Sequence, residues 1–313
     1  RSEGVYLVHA RSRAPAWVAL GATRRTKTPF ITTYHGSYAG QSTLKILYNS
    51  VMARGDAVIA NSAYTAGLIG RFHAFARDRV GIIHRGTDLR LFSPANVEAA
   101  RVQKLRKVWN IAPEDRIVLL AARLTGWKGQ KVLIEAARIL AGRGISDVRY
   151  ILAGDPQGRD AYVRELDAAI AKAGLTDVVR RVGHVTDMPA ALAAASAVAV
   201  PSTEPEAFGR AAVEAQAMGT PVVVTDLGAV PETVLAPPRV SADKRTGWTV
   251  PPRDAEALAD ALETILGLGA AARESLATRA RAHVESAFTL ERMCAQTLEL
   301  YTRLLEAGAS PLR

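Results

Sequence analysis

The sequence predicts an α/β protein built on parallel, doubly wound sheets, and three observations carry the prediction. Short apolar runs rich in Val, Ile and Ala alternate with helix-length segments along most of the chain. The alternation occurs in two runs, separated by a less regular stretch from His84 to about Asn110. Many of the apolar runs end in a Gly- or Asn-containing turn that leads straight into a helix, as in sheets whose strands all point one way.

The first run begins with a strand over Val5–His9, a helix over Ala14–Thr23 and a strand over Pro29–Tyr34 that ends at His35-Gly36. A helix over Thr43–Ala53 follows, then the strand Asp56–Ala60, the helix Ala63–Phe72 and the strand Val80–Ile83. The turn His84–Asp88 leads to a domain boundary placed near Phe92–Ala95. No Gly-rich first strand–turn–helix opens this run, so its initial strands are expected to be missing.

The second run is clearer. Strands are expected at Arg116–Ala121, Val148–Ala153, Val178–Val182, Ala197–Pro201, Pro221–Thr225 and Gly247–Val250, with helices between them, one over Phe208–Met218. Three helices, Asp254–Leu266, Ala270–Ala287 and Leu290–Leu305, close the chain. The expected domains are 1–92, an incomplete N-terminal unit; 93–287, a full doubly wound unit; and 288–313, a helix packing back towards the first.

The 313 residues are 49% hydrophobic and 22% charged, which is globular rather than disordered composition. The formal net charge of +10 points to an anionic partner: a phosphorylated small molecule, a membrane surface or nucleic acid. The single Cys294 excludes an internal disulfide and a Cys-based zinc site, and its helical setting reads as a small core residue. No segment approaches ~18 uninterrupted apolar residues, so none reads as a membrane span.

Doubly wound sheets bind ligands beyond the carboxyl ends of their strands, and four such places hold candidate residues. After Arg116–Ala121 come Arg123 and Lys128, flanking a glycine turn at a helix start. A planar guanidinium, a point charge and helix N–H groups together suit a diphosphate. After Ala197–Pro201 come Glu206 and Glu214. On one continuous helix they would lie ~12 Å apart along its axis, too far for a hydrolytic pair, but suited to hydroxyls at two ends of an extended ligand. His35 and the pair Gly183-His184 stand at two further strand ends.

The run Glu206-x-Phe-Gly-x-x-x-x-Glu214, continuing through Gly219-Thr-Pro221, resembles the signature of retaining GT-B glycosyltransferases of family 4, as does Arg123-Leu-x-x-x-Lys128-Gly129. The likeness runs in family order over nearly the whole chain, except for the Gly-rich loop of the first strand. It implies two Rossmann-like domains facing a cleft. It assigns Arg123 and Lys128 to the donor diphosphate, and the Phe208-Gly209 turn to donor sugar and phosphate. Glu206 would bind donor-sugar hydroxyls, Glu214 the ribose, and His35 would approach the transferred sugar. Backbone near Gly183 and His184 would meet the base.

The resemblance further implies a UDP-, GDP- or ADP-sugar donor, no cofactor, and transfer with retention. No D-x-D triplet occurs in the sequence, so Arg123 and Lys128 are expected to replace a metal at the diphosphate. Basic charge without a span suggests a cytoplasmic protein on the inner face of the membrane, with a lipid-linked acceptor in cell-envelope glycan or bacterial lipopolysaccharide synthesis. Sugar phosphorylases and sugar-nucleotide epimerases share the two-domain form, but the two motif spacings favour transfer. A dehydrogenase is disfavoured because the nearest G-x-G-x-x-G relative, Gly267–Ala272, follows a helix. Nucleic acid is not expected as a partner, since Arg is spread along the chain and aromatics are only 6%.

Overall fold

The computed structural model describes residues 4–36 and 42–309, which divide into two compact units. The first comprises residues up to Gly86, the short segment Glu206–Phe208, and the chain from Phe288 onwards; the second comprises Thr87–Pro205 and Gly209–Ala287.

The first unit holds a parallel sheet in sequence order, β1 (Val8–Ala10), β2 (Phe30–Tyr34), β3 (Ala57–Ala60) and β4 (Val80–Ile82). The connections are α1 (Arg13–Thr26), α2 (Thr43–Asn49) with a 3-10 turn over Ser50–Ala53, and α3 (Ala63–Phe72) with a 3-10 turn over Ala74–Arg79. Each crossover steps the same way along the sheet, so the right-handed rule puts all three helices on one face. Phe30, Tyr34 and Val58 pack on that face with Ala16, Leu20, Val51 and Ile69. The opposite face, Ile31, Ala57, Ile59 and Ile83, packs against Leu300, Tyr301 and Leu304 of the last helix, Leu290–Ala309. Every residue of β2 is therefore buried, Thr32 and Thr33 included.

The second unit is a six-stranded parallel sheet. Its strands are β5 (Arg116–Ala121), β6 (Val148–Ala153), β7 (Val179–Gly183), β8 (Ala197–Val200), β9 (Val222–Thr225) and β10 (Trp248–Val250), in the order β10-β9-β8-β5-β6-β7. Its helices are α4 (Ala99–Val108), α5 (Gln130–Gly142), α6 (Asp160–Lys172), α7 (Met188–Ala194), α8 (Arg210–Ala217), α9 (Val230–Thr233), α10 (Ala255–Leu266) and α11 (Ala270–Ala287), the closing helix being α12. Leu133, Ala137 and Leu140 of α5 join Leu258, Leu262 and Ile265 of α10 over Val118, Leu120 and Tyr150 in one core. Two strong N-caps set helix starts: Asp187 accepts from Ala190 N–H, and Asp254 from Ala257 N–H.

Several expectations need correction. The stretch to Asn110 contains α4, whose low hydropathy hid it; Arg101 forks onto both Asp187 oxygens at 2.6 and 2.9 Å and ties α4 to the start of α7. The helix expected over Thr43–Ala53 leaves α geometry after Asn49. The first strand lies at Val8–Ala10 rather than Val5–His9. Cys294 is exposed on α12 and is no core residue.

Candidate active site

In the second sheet β5 and β8 are neighbours, and the chain leaves them in opposite directions, β5 towards β6 and β7, β8 towards β9 and β10. Their carboxyl ends form the switch point where such sheets take ligands. The loop after β5 carries Arg123, exposed, and Lys128, half-buried at the end of a 3-10 turn over Gly126–Lys128. Gly129 follows with φ +76°, and a Cβ there would lie 1.8 Å from the Pro201 carbonyl oxygen, just beyond β8. The two loops thus meet backbone to backbone, and Thr203 N–H donates to the Trp127 carbonyl at 2.8 Å. Lys128 Nζ stands 4.3 Å from the Trp127 ring centroid, a cation–π contact that restricts the ammonium.

Sequence reasoning missed Gln130, the first residue of α5. It is fully buried, donates through Nε2 to the Arg123 carbonyl at 3.0 Å and accepts from the Tyr162 hydroxyl at 3.0 Å. A glutamine directly after Lys-Gly at a helix start was the available signal. Gly154, at the end of β6, also braces this loop, for a Cβ there would meet the Ala122 carbonyl oxygen at 1.8 Å. Gly183 ends β7 with φ +71° and open space before it, and His184 beside it is exposed.

The helix expected from Phe208 begins instead at Arg210, capped by Gly209 at φ +94°. Glu206 therefore precedes the helix, and the continuous-helix spacing to Glu214 does not apply. Glu214 is nearly buried, and its Oε1 accepts from Arg210 Nη2 at 2.8 Å, a partner that the sequence reading passed over.

Glu206 and Phe208 belong to the first unit. There the Ser62 hydroxyl donates to the Ala207 carbonyl at 2.8 Å. Phe208 stacks edge-on against Phe288, with ring centroids 5.6 Å apart, and His84 completes the aromatic cluster. His35 ends β2 of this unit and borders a cavity of about 510 Å³ shared with His9, Arg11, Asn61, Arg85 and Tyr301. Burial, together with Arg85 and Arg11, lowers the His35 pKa to about 4, so its ring is neutral near pH 7. His9 is held near 4 by burial and Arg11, and its two ring nitrogens contact the Tyr301 hydroxyl and the Thr33 hydroxyl at 2.6 Å each. Among the described residues the His35 Nδ1 and Asn61 Nδ2 atoms are buried without hydrogen-bond partners.

Among the described residues no three His, Cys, Asp or Glu side chains gather as a metal-ligand set, and no helix is long and apolar enough to cross a membrane. The family described as glycosyl transferases group 1 matches residues 101–283, and that described as Glycosyltransferase Family 4 matches residues 1–91. The chain belongs to the group 1 glycosyl transferases. The chain is 31% identical over 264 residues to a D-inositol 3-phosphate glycosyltransferase of Jonesia denitrificans, covering 83% of the chain and 59% of the relative. To the enzyme of that name from Salinispora tropica it is 35% identical over 262 residues, covering 80% and 52%. The chain thus spans little more than half the length of these curated relatives.

Solved structures agree on architecture. A glycosyltransferase from Rickettsia africae superposes with a TM-score of 0.87 at 31% identity, over 97% of this chain and 78% of that one. An Anabaena protein crystallised with UDP and glucose gives 0.84 at 27%, over 95% and 77%. The two parallel-sheet units are those of the GT-B fold.

Proposed function

We propose that this glycosyltransferase moves a hexose-type sugar from a nucleoside-diphosphate sugar to a hydroxyl of a glycan or lipid-linked acceptor, with retention and without a metal. The observation that carries the reading is the braced loop Arg123–Lys128 at the switch point of the second sheet, with Lys128 restrained over Trp127 and the Arg123 backbone held by Gln130. The Anabaena neighbour's UDP and glucose agree with such a donor.

In the reaction the bond from the sugar's anomeric carbon to the phosphate oxygen breaks, and negative charge collects on the leaving diphosphate. Arg123 and Lys128 stabilise that charge, which is where fixed cations lower the barrier most. The acceptor oxygen attacks the same face of the oxocarbenium-like sugar, and a leaving-phosphate oxygen takes its proton. Glu206 and Glu214 accept from sugar and ribose hydroxyls, Gly209 and Phe208 present backbone to the donor, and Gly183 and His184 border the base. His35, neutral, approaches the transferred sugar from the first unit and does not act as a base.

The first unit's cavity supports a reading of the acceptor's own group. With Nε2 of His35 accepting from Arg11 Nε, its Nδ1 carries the proton, so His35 Nδ1 and Asn61 Nδ2, which lack partners among the described residues, are both donors. Beside Arg11 and Arg85 they favour a ligand rich in acceptor oxygens, such as a phosphate; the relatives' name contains a phosphorylated polyol. Use of an envelope acceptor at the inner face of the cytoplasmic membrane belongs to the same reading.

A thermal-shift screen of UDP-, GDP- and ADP-sugars tests the donor, because a ligand at 100 times its Kd stabilises by ~2.7 kcal/mol. One of the three should raise the midpoint, and NMR of the transferred anomeric proton should show the donor's configuration. No response to any nucleotide sugar, or an inverted product, would overturn the reading.

A further inference from the structure

The arginines are spread along the chain, as expected, but the acidic residues are not, so the net charge is uneven. Residues 1–87 hold 12 basic and 3 acidic side chains, and no acidic residue occurs between Glu3 and Asp56. Residues 88–313 hold 28 and 27 and are close to neutral. With Glu206 and the closing helix counted, the first unit holds 15 basic and 7 acidic side chains, most of the excess.

Part of that excess lies beside exposed apolar side chains on the helical face of the first sheet. Val18 of α1 is 75% exposed and Leu44 of α2 is 80% exposed, with Leu47 exposed next to them. Contacts join these helices into one surface: Trp17 Nε1 donates to the Tyr48 carbonyl at 3.1 Å, and the Arg13 guanidinium lies over the Tyr48 ring. Arg54 lies over both Trp17 and Phe75, and Arg79 also lies over Phe75, itself 55% exposed. Arg24, two helical turns beyond Trp17, borders a cavity of about 520 Å³ at the edge of the sheet, lined by Lys27, Arg54 and Arg79 and by Leu304 and Ala307 of α12. The cavity's one acid, Asp56, already accepts from Phe30 N–H at 2.8 Å.

Aliphatic tips, amphipathic aromatics and cations in one stripe match the layers of a lipid surface. A nucleic acid would use the cations and the aromatics but gains nothing from Val18 or Leu44 standing in water. We propose that this face of the first unit docks on an anionic phospholipid bilayer. Val18, Leu44 and Leu47 enter the interfacial layer, Trp17 and Phe75 sit at headgroup depth, and Arg24, Lys27, Arg54 and Arg79 meet lipid phosphates. The inference deepens the membrane-side part of the proposed function by naming the docking face and its lipid class.

Vesicle flotation tests it with the whole chain. Binding is expected to equimolar phosphatidylcholine–phosphatidylglycerol vesicles at low salt, to weaken as salt rises, and to be absent with phosphatidylcholine alone. Arg24→Gln with Arg25→Gln and Lys27→Gln should weaken partition about fivefold per cation removed. Val18→Asn with Leu44→Gln should weaken it at least ~tenfold without lowering the thermal midpoint, because both residues are exposed. No flotation, equal binding to neutral vesicles, unchanged binding by both variants, or preferential retention on DNA or on a second copy of the chain would overturn the proposal. Transfer to a soluble acceptor, measured in the same variants, should not change, so failure of docking and failure of the transferase reading are told apart.

Discussion

Arg11 Nε donates to His35 Nε2 at 3.2 Å, and this contact fixes which ring nitrogen carries the proton. A cation pointed at the lone pair also opposes a second protonation, in line with the depressed pKa of about 4. The ordinary histidine value is 6.5. Between the two, the unfolded chain binds more protons than the folded one, so stability is fully present above about 6.5 and is lost as pH falls through 4. His9, also held near 4, adds to the same slope. Urea midpoints should be level at neutral pH and fall across that window, and His9→Gln with His35→Gln should flatten the fall. A midpoint independent of pH between 6.5 and 4 would contradict the assignment.

Replacing Lys128 by Ala should lower turnover by at least ~10²-fold, the usual loss on removing a preorganised donor at developing charge. Its thermal midpoint should hardly move. Chelation by EDTA should leave wild-type turnover intact, and loss of activity restored by Mn²⁺ would refute the metal-free reading.

Two glycines separate strain from collision. Gly129 and Gly158 have nearly equal φ, +76° and +77°, yet a Cβ on Gly158 meets nothing within 4 Å while one on Gly129 meets Pro201 backbone at 1.8 Å. Gly158→Ala should therefore cost only about 1 kcal/mol of left-handed backbone strain. Gly129→Ala must displace the loop after β8, so it should both unfold more easily and lose donor-induced stabilisation. Equal thermal midpoints for the two variants would show that the loops yield.

Tyr301→Phe deletes one hydroxyl, 2.6 Å from His9 Nδ1 in the first unit's cavity. About 0.5–1.5 kcal/mol of stability should go with it. Arg11→Met and Arg85→Met should raise KM for a phosphate-bearing acceptor while leaving KM for the donor near wild type. A change confined to the donor would move those two arginines out of acceptor recognition.

Much of the fold was legible because both sheets are parallel and buried. Phe30–Tyr34 and Val222–Thr225 are rich in β-branched and aromatic residues and carry no charge, because both of their faces are covered. The helix α4 was not legible, since it has no fully buried residue and thus no apolar stripe to betray it. Arg123, Lys128 and Glu214 could be picked out because chemistry-bearing types follow strands. Gln130, Arg210 and Arg11 were passed over because their roles depend on partners distant in space or one helical turn away. The surface joining Trp17, Tyr48, Arg54 and Phe75 has no sequence motif, because tertiary packing brings three separate segments together.

The last helix has one consequence for the chain's manufacture. Ile31, Ile59 and Ile83 are covered by Leu300, Tyr301 and Leu304, which leave the ribosome only after the whole second unit. At ~5–20 residues per second, that half of the core stays open for roughly ten to forty seconds after its strands emerge. Among the described residues the core built on Val118, Leu120 and Tyr150 takes nothing from α12, so it is free to form during that wait. The nascent first unit therefore spends the interval with an apolar sheet face bare, and a stop codon ahead of Leu300 would leave it bare for good.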